Sequence, residues 1–121
     1  MGTRTKPAGC CVPAAVKPLS SKRLRHLAAL AKALADSNRL TVLHFLASQE
    51  GPLCACDMVD YVGLSQPTVA HHLKVLREAG LLQAKRSGLW MFYSLDPKAA
   101  KSLGNLAALV DARILPDLLM A

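Results

Sequence analysis

The tightest constraint on the fold is the stretch Gly63-Leu64-Ser65, which closes one short helical pattern and opens the next. Before it, Ala55, Met58, Val59 and Val62 recur at i, i+3, i+4, i+7, one face of a short helix over roughly residues 54–62. After it, Ser65 is placed to cap a helix that tolerates Pro67 in its first turn. Val69, His72, Leu73 and Leu76 form the inner stripe of that helix, and Gly80 is placed to end it. Two short helices joined by a tight, glycine-containing turn make a helix-turn-helix.

The flanking sequence extends this unit. Residues 1–19 carry Pro7, Gly9, Pro13 and Pro18 without periodicity and read as a flexible arm. Leu27, Leu30, Ala31 and Leu34 then share one helical face, and Asp36 or Ser37 caps a second helix bearing Leu40, Leu43 and Leu46. Beyond Gly80 the period changes: "LLQAKR" and "LWMFYSL" are β-prone runs around Ser87-Gly88, a two-residue hairpin signal. Asp96-Pro97 opens a last helix, with Leu103, Leu106, Ala107 and Val110 on one face, that ends near Pro116. The expected fold is mainly α with a small β-hairpin. It is a winged helix-turn-helix over residues 20–121 with an extra helix at each end, and neither an internal repeat nor a second domain is visible.

Charge gives the first functional direction. Fifteen Lys and Arg against eight Asp and Glu give +7, which in so small a domain points to a polyanion, nucleic acid before membrane. Lys32, Asp111 and Arg113 interrupt the apolar runs before any reaches membrane-spanning length. The N-terminus lacks a continuous apolar signal region, so the chain reads as cytoplasmic, where structural disulfides are unexpected. No nucleophile-and-base pair, phosphate loop or metal-activating His-Glu set suggests an enzyme.

With the inner stripe centred near Val69, Thr68, Ala70, His71 and Lys74 project away from the core of the second short helix, and Gln66 stands at its N-terminus. Ser65, Gln66, Thr68, His71 and Lys74 are therefore the candidate DNA readers, since Gln suits adenine, hydroxyls suit acceptors or methyls, and Lys suits guanine or phosphate. Lys85 and Arg86 at the hairpin tip suit the backbone or minor groove beside the helix. His72 lies in the stripe and reads as core. The alternative, a solvated helix face and an ordinary charged hairpin, explains each element singly but not their combination with the net charge.

The stretches "ALADSNRLTVLHFL", "LCACDMVDYVG" and "LSQPTVAHHLKVLREAGLL" resemble the arsenic-repressor (ArsR/SmtB) family of bacterial metal sensors, from about Leu30 to Leu95. The resemblance implies a homodimeric winged-helix repressor, paired through its first and last helices. Such a protein binds palindromic double-stranded operator DNA when metal-free and leaves it when metal binds. It also implies a Cys-x-Cys-Asp metal motif, matched by Cys54, Cys56 and Asp57. Ala70 departs from the family, which often has a DNA-facing serine there.

Four cysteines fall into two close pairs, Cys10 with Cys11 and Cys54 with Cys56. On an ideal helix Cys54 and Cys56 lie about 90–110° to either side of the buried stripe and about 200° from each other. Neither is then a natural core position. The two cannot share one ion unless the first turn opens, or else one does most of the work. A helix N-terminus favours thiolate, and thiolate without histidine partners selects thiophilic ions. Trivalent arsenic, which takes three sulfurs, is served by Cys10, Cys11 and one of Cys54 or Cys56. Cadmium or lead could use all four, as in cadmium-sensing relatives whose arms contribute cysteines. A thiol-redox switch is the competing reading. The last helix offers Asp111 and Asp117 but no histidine, so no zinc site is expected there.

Overall fold

The computed structural model describes Gly9 and residues 17–111. Its elements run α1 (Ser21–Leu34), α2 (Ser37–Ala47), α3 (Ala55–Val62), α4 (Gln66–Glu78), β1 (Leu82–Ser87), β2 (Trp90–Leu95) and α5 (Ala99–Ala107). Each boundary has a local cause. The Ser20 hydroxyl accepts from the Arg23 N–H at 3.1 Å to start α1, and Asp36 Oδ1 accepts from the N–H groups of Asn38 (2.8 Å) and Arg39 (3.2 Å) to start α2. Arg39 then turns back to donate to the carbonyls of Ala33 at 2.6 Å and Lys32 at 3.3 Å. Those carbonyls lie at the C-terminal end of α1, where backbone donors run short and the Lys32 carbonyl otherwise accepts from the Ala35 N–H at 3.2 Å, so one side chain stitches α1 to α2. Gly63 ends α3 at φ 75°, a left-handed conformation open to glycine, with its N–H on the Val59 carbonyl at 2.9 Å.

The hydrogen bond from the Arg39 N–H is the largest cause holding the Asp36 carboxyl below its ordinary value; the Asn38 N–H and the Arg39 guanidinium add to it, against partial desolvation. A lowered folded pKa stabilises above the unfolded carboxylate range, and that stability is lost as pH falls through the folded value. Asp36→Ala is expected to lower the melting temperature at neutral pH, with the gap to wild type closing in acid. Thermal melts across pH check this, and a gap that stays constant into strong acid refutes it.

The core is built from Leu30, Val42, Leu46, Met58, Val69, Leu73, Leu76, Leu81, Leu82 and Ala99, all buried. Residues from α1, α2, α3, α4 and α5 thus meet over one end of the hairpin. All four inner-stripe residues of α4 are buried, His72 included. Elsewhere the structure corrects the sequence reading. In α1 the third buried residue is Ala33, while Ala31 faces solvent. In α2 the buried residues are Val42 and Leu46, and Leu40 is 48% exposed, because this helix is apolar on nearly every face and periodicity could not choose one. Ser87 pairs with Trp90, so the hairpin turn is Gly88-Leu89 and not Ser87-Gly88. Gly88 at φ 62° with no other positive φ in the turn follows the type II′ pattern. The helical hydrogen bonding of α5 tightens to i→i+3 after Ala107, and Val110, expected on its inner face, is 89% exposed. Cys10, Cys11, Pro116, Asp117 and most of the proposed arm lie outside the described residues.

Candidate nucleic-acid interface and metal centre

Ser65 and Thr68 are partly engaged with each other. The Ser65 hydroxyl accepts from the Thr68 N–H at 3.4 Å and lies 2.9 Å from the Thr68 hydroxyl. This pair caps α4 and leaves its remaining hydroxyl capacity facing outward. Gln66, Thr68, His71 and Lys74 are exposed on the side of α4 away from the core, and Lys85 and Arg86 are exposed on β1. Lys85 and Arg86, expected at the wing tip, lie within β1 instead, and the tip carries Leu89, fully exposed, and Trp90, 58% exposed. A Leu-Trp pair at a hairpin turn was visible in the sequence, but its register was misassigned by one residue.

The sharpest correction concerns the third helix. Cys54 is not in it. It is the N-cap residue, with extended backbone at φ −83°, ψ 166°. The reason lies one residue upstream. Leu53 pairs with Tyr93 of β2, its N–H donating to the Tyr93 carbonyl at 2.9 Å and its carbonyl accepting from the Tyr93 N–H at 2.7 Å. That bridge holds the chain extended up to Cys54, so the helical angle of about 200° between the cysteines does not apply. The Cys54 and Cys56 Cα atoms are 5.3 Å apart and their sulfurs are joined in a disulfide. Cys54 is also buried, against the expectation that neither cysteine occupies a core position.

Asp57 completes the local arrangement. Its carboxylate accepts from the Cys54 N–H at 3.0 Å, the acidic half of a capping box that fixes the start of α3. One ligand atom each from Cys54, Cys56 and Asp57 lies within 4.8 Å of the others, the spacing of groups that could hold a metal ion once the sulfurs are reduced to thiols. The cysteines open onto a crevice of about 250 Å³ whose walls include Gln66 from α4 and Leu89, Trp90, Met91 and Tyr93 from the wing. The thiols therefore lie beside both elements that carry the candidate DNA readers.

A capped α3–α4 pair backed by α1, α2 and α5 and flanked by an antiparallel hairpin is the winged helix-turn-helix of DNA-binding transcriptional regulators, a fold and family distinct from those of enzymes. The solution structure of a winged helix-turn-helix DNA-binding domain from Mycobacterium bovis, a possible ArsR-family regulator, shares this fold. Its TM-score is 0.60 at 24% identity, covering 82% of this chain and 94% of that one. The family model described as bacterial regulatory protein, arsR family, matches residues 36–84. A cadmium resistance transcriptional regulatory protein CadC homolog from Staphylococcus aureus is 35% identical over 95 residues, 78% of each chain. The arsenical resistance operon repressor of Escherichia coli K12 is 44% identical over 68 residues, 56% of this chain and 57% of that repressor. The chain belongs to the ArsR family of bacterial regulatory proteins. Among the described residues, no helix is long and apolar enough to cross a membrane.

Proposed function

We propose that the chain is a homodimeric transcriptional repressor that holds a two-fold symmetric operator when ligand-free and releases it on binding trivalent arsenic. Cys10, Cys11 and one of Cys54 or Cys56 supply the three sulfurs. The observation that carries this reading is the convergence of the Cys54 and Cys56 sulfurs in a crevice that Gln66 and the wing also line. A dithiol reductant first exchanges with the Cys54–Cys56 disulfide, leaving both cysteines as thiols and itself oxidised. Three thiols then displace the three hydroxides of arsenous acid as water, and the resulting pyramid ties Cys54 or Cys56 to the arm. Tension on Cys54 passes to Leu53 and through its two hydrogen bonds to Tyr93, hence to the wing, and tension on the first turn of α3 passes to α4. Ligand response in allosteric proteins commonly needs a coupling of about 1–3 kcal/mol between the two sites. The name of the Escherichia coli relative, arsenical resistance operon repressor, supports the choice of ion.

Gln66, Thr68, His71 and Lys74 read the major groove in this proposal, Ser65 positions the helix start, and Lys85 and Arg86 bind the backbone or minor groove. Cadmium or lead is the second reading. It is favoured by the longer match to the Staphylococcus aureus cadmium regulator and would use all four sulfurs.

The test is operator binding by anisotropy, using a duplex selected from a random pool. Affinity is expected to fall about tenfold or more between roughly 50 and 200 mM salt as phosphate contacts release counterions. Selected half-sites should lie about one helical turn apart. Arsenite should release the complex. Salt-independent binding, or none to any duplex, refutes the repressor reading.

A further inference from the structure

The crevice beside the cysteines holds one more soft donor. Met91 lines it together with Cys54 and Cys56. The isolated bridge between Leu53 and Tyr93 holds the segment before Cys54 against β2, the strand that also carries Met91. The turn into α3 then carries the main chain away from β2 and leaves the crevice open. Packing does not account for Met91. It is half-buried, yet it belongs neither to the hydrophobic core nor to the partly buried side chains packed on it, whereas Tyr93 and Leu95 of the same strand do. The methionine that fills the core is Met58. Trp90, the preceding residue of β2, also lines the crevice.

Two thiolates and a thioether form a donor set of a different kind from the three thiolates that suit arsenic. Thioether sulfur is neutral, soft and a poor ligand for trivalent arsenic or zinc, but a good one for monovalent copper and silver, which accept low coordination numbers. An indole face next to such a cation adds a cation–π contact. We infer that Cys54, Cys56 and Met91 form an arm-independent site, overlapping the arsenic site at its cysteines, for a soft monovalent cation of the copper(I)/silver(I) class, with Trp90 in the wall beside it. The inference rests on the reading of Cys54 and Cys56 as ion-binding thiols, but it needs neither Cys10 nor Cys11.

The site forms in the dithiol state. A phosphine reductant cleaves the Cys54–Cys56 bond, taking up the oxygen of a water while the two sulfurs receive its protons. Binding of the cation then releases the thiol protons to solvent. Asp57 stays on the Cys54 N–H and fixes the N-cap while the sulfurs turn to the ion.

Silver(I) is the probe, because it does not cycle between oxidation states under these conditions. The reduced full-length chain would be labelled with carbon-13 at its methionine methyls and titrated. Four methionines give four signals, and the single tryptophan, excited selectively over the two tyrosines, makes fluorescence a report on Trp90. One equivalent of silver is expected to move the Met91 methyl signal, leave that of core Met58 in place and quench Trp90. Met91→Leu, which keeps volume and shape, is expected to weaken silver binding about tenfold while leaving arsenite-triggered release unchanged. Cys10→Ser with Cys11→Ser should leave silver affinity as in wild type. A Met91 methyl that does not move at saturation, or a Met91→Leu affinity equal to wild type, overturns the inference. Silver binding through Met91 in a chain that ignores arsenite upholds this site and removes the arsenic reading instead.

Discussion

Serine at both Cys10 and Cys11 is expected to leave operator affinity unchanged and to abolish its response to arsenite. A coupling of about 1–3 kcal/mol corresponds to roughly a 5–150-fold loss of operator affinity in the wild type, and in this variant that factor falls to one. Cys10 and Cys11 precede α1 in the sequence, so the variant leaves Gln66, Lys74 and the wing residues as they are. The other pair needs more care, because the helix angle set Cys54 and Cys56 on opposite faces, whereas the structure brings their sulfurs together, with Cys54 the more buried of the two. With their sulfurs adjacent, either can supply the third arsenic ligand. Each single serine variant should keep a partial response and the double variant none. Cys54→Ser is a clean substitution here, since serine is among the best residues for the N-cap position that Cys54 occupies. A four-sulfur cadmium site predicts the opposite for cadmium, with each single variant losing most of the response. A disulfide switch predicts release by peroxide without metal, reversed by a reducing agent. Deletion of residues 1–15 with the arsenite response intact would show that the arm takes no part.

What the sequence made legible, and what it hid, divides along local and long-range pairing. The stripe Val69, His72, Leu73, Leu76 and the Ser65 cap are set by neighbours within a turn or two, and all of them stand in the structure where periodicity put them. Asp36, one of two caps considered for α2, is settled by its hydrogen bonds to Asn38 and Arg39. The state of Cys54 is set from forty residues away, by Tyr93 pairing with Leu53, and no local pattern in "LCACD" carries that. A start one residue later changes two thiols on opposite faces into two thiols at one point. The same blindness hid Met91 and Trp90, which read as ordinary strand residues until the bridge brings them against the cysteines. In α2 the failure is of another kind: with Leu40, Val42, Leu43, Phe45 and Leu46 in one helix, the apolar pattern has no single face to reveal.

Charges placed at Leu24 and Val110 are expected to dissociate the dimer and, with it, operator binding. Leu27, Leu30 and Ala33 turn one face of α1 into the core, while Leu24 remains 50% exposed on the same helix. Just past the end of α5, Leu109 is 47% and Val110 89% exposed. α1 and α5 pack together, and among the described residues Leu24, Leu109 and Val110 are apolar side chains open to water on or next to these two helices. A second copy meeting them about a two-fold axis would bury the same side chains from both partners and set two α4 helices on one face of the duplex. Leu106 is the less informative position, because it packs against the core of its own chain and a charge there would unfold the monomer. Leu24→Glu combined with Val110→Glu should leave the circular dichroism and melting behaviour of the winged unit nearly unchanged. In sedimentation it should run as a monomer at micromolar concentration, where the wild type runs as a dimer. Operator affinity should fall about a hundredfold or more, since binding of the second half-site is no longer intramolecular once the first is held. The affinity for an isolated half-site should not change, which separates lost pairing from damage to the DNA-reading face. A wild-type chain that sediments as a monomer at those concentrations, or a charged variant that still binds the full operator tightly, would mean that this apolar region serves some other contact and that each chain reads DNA alone.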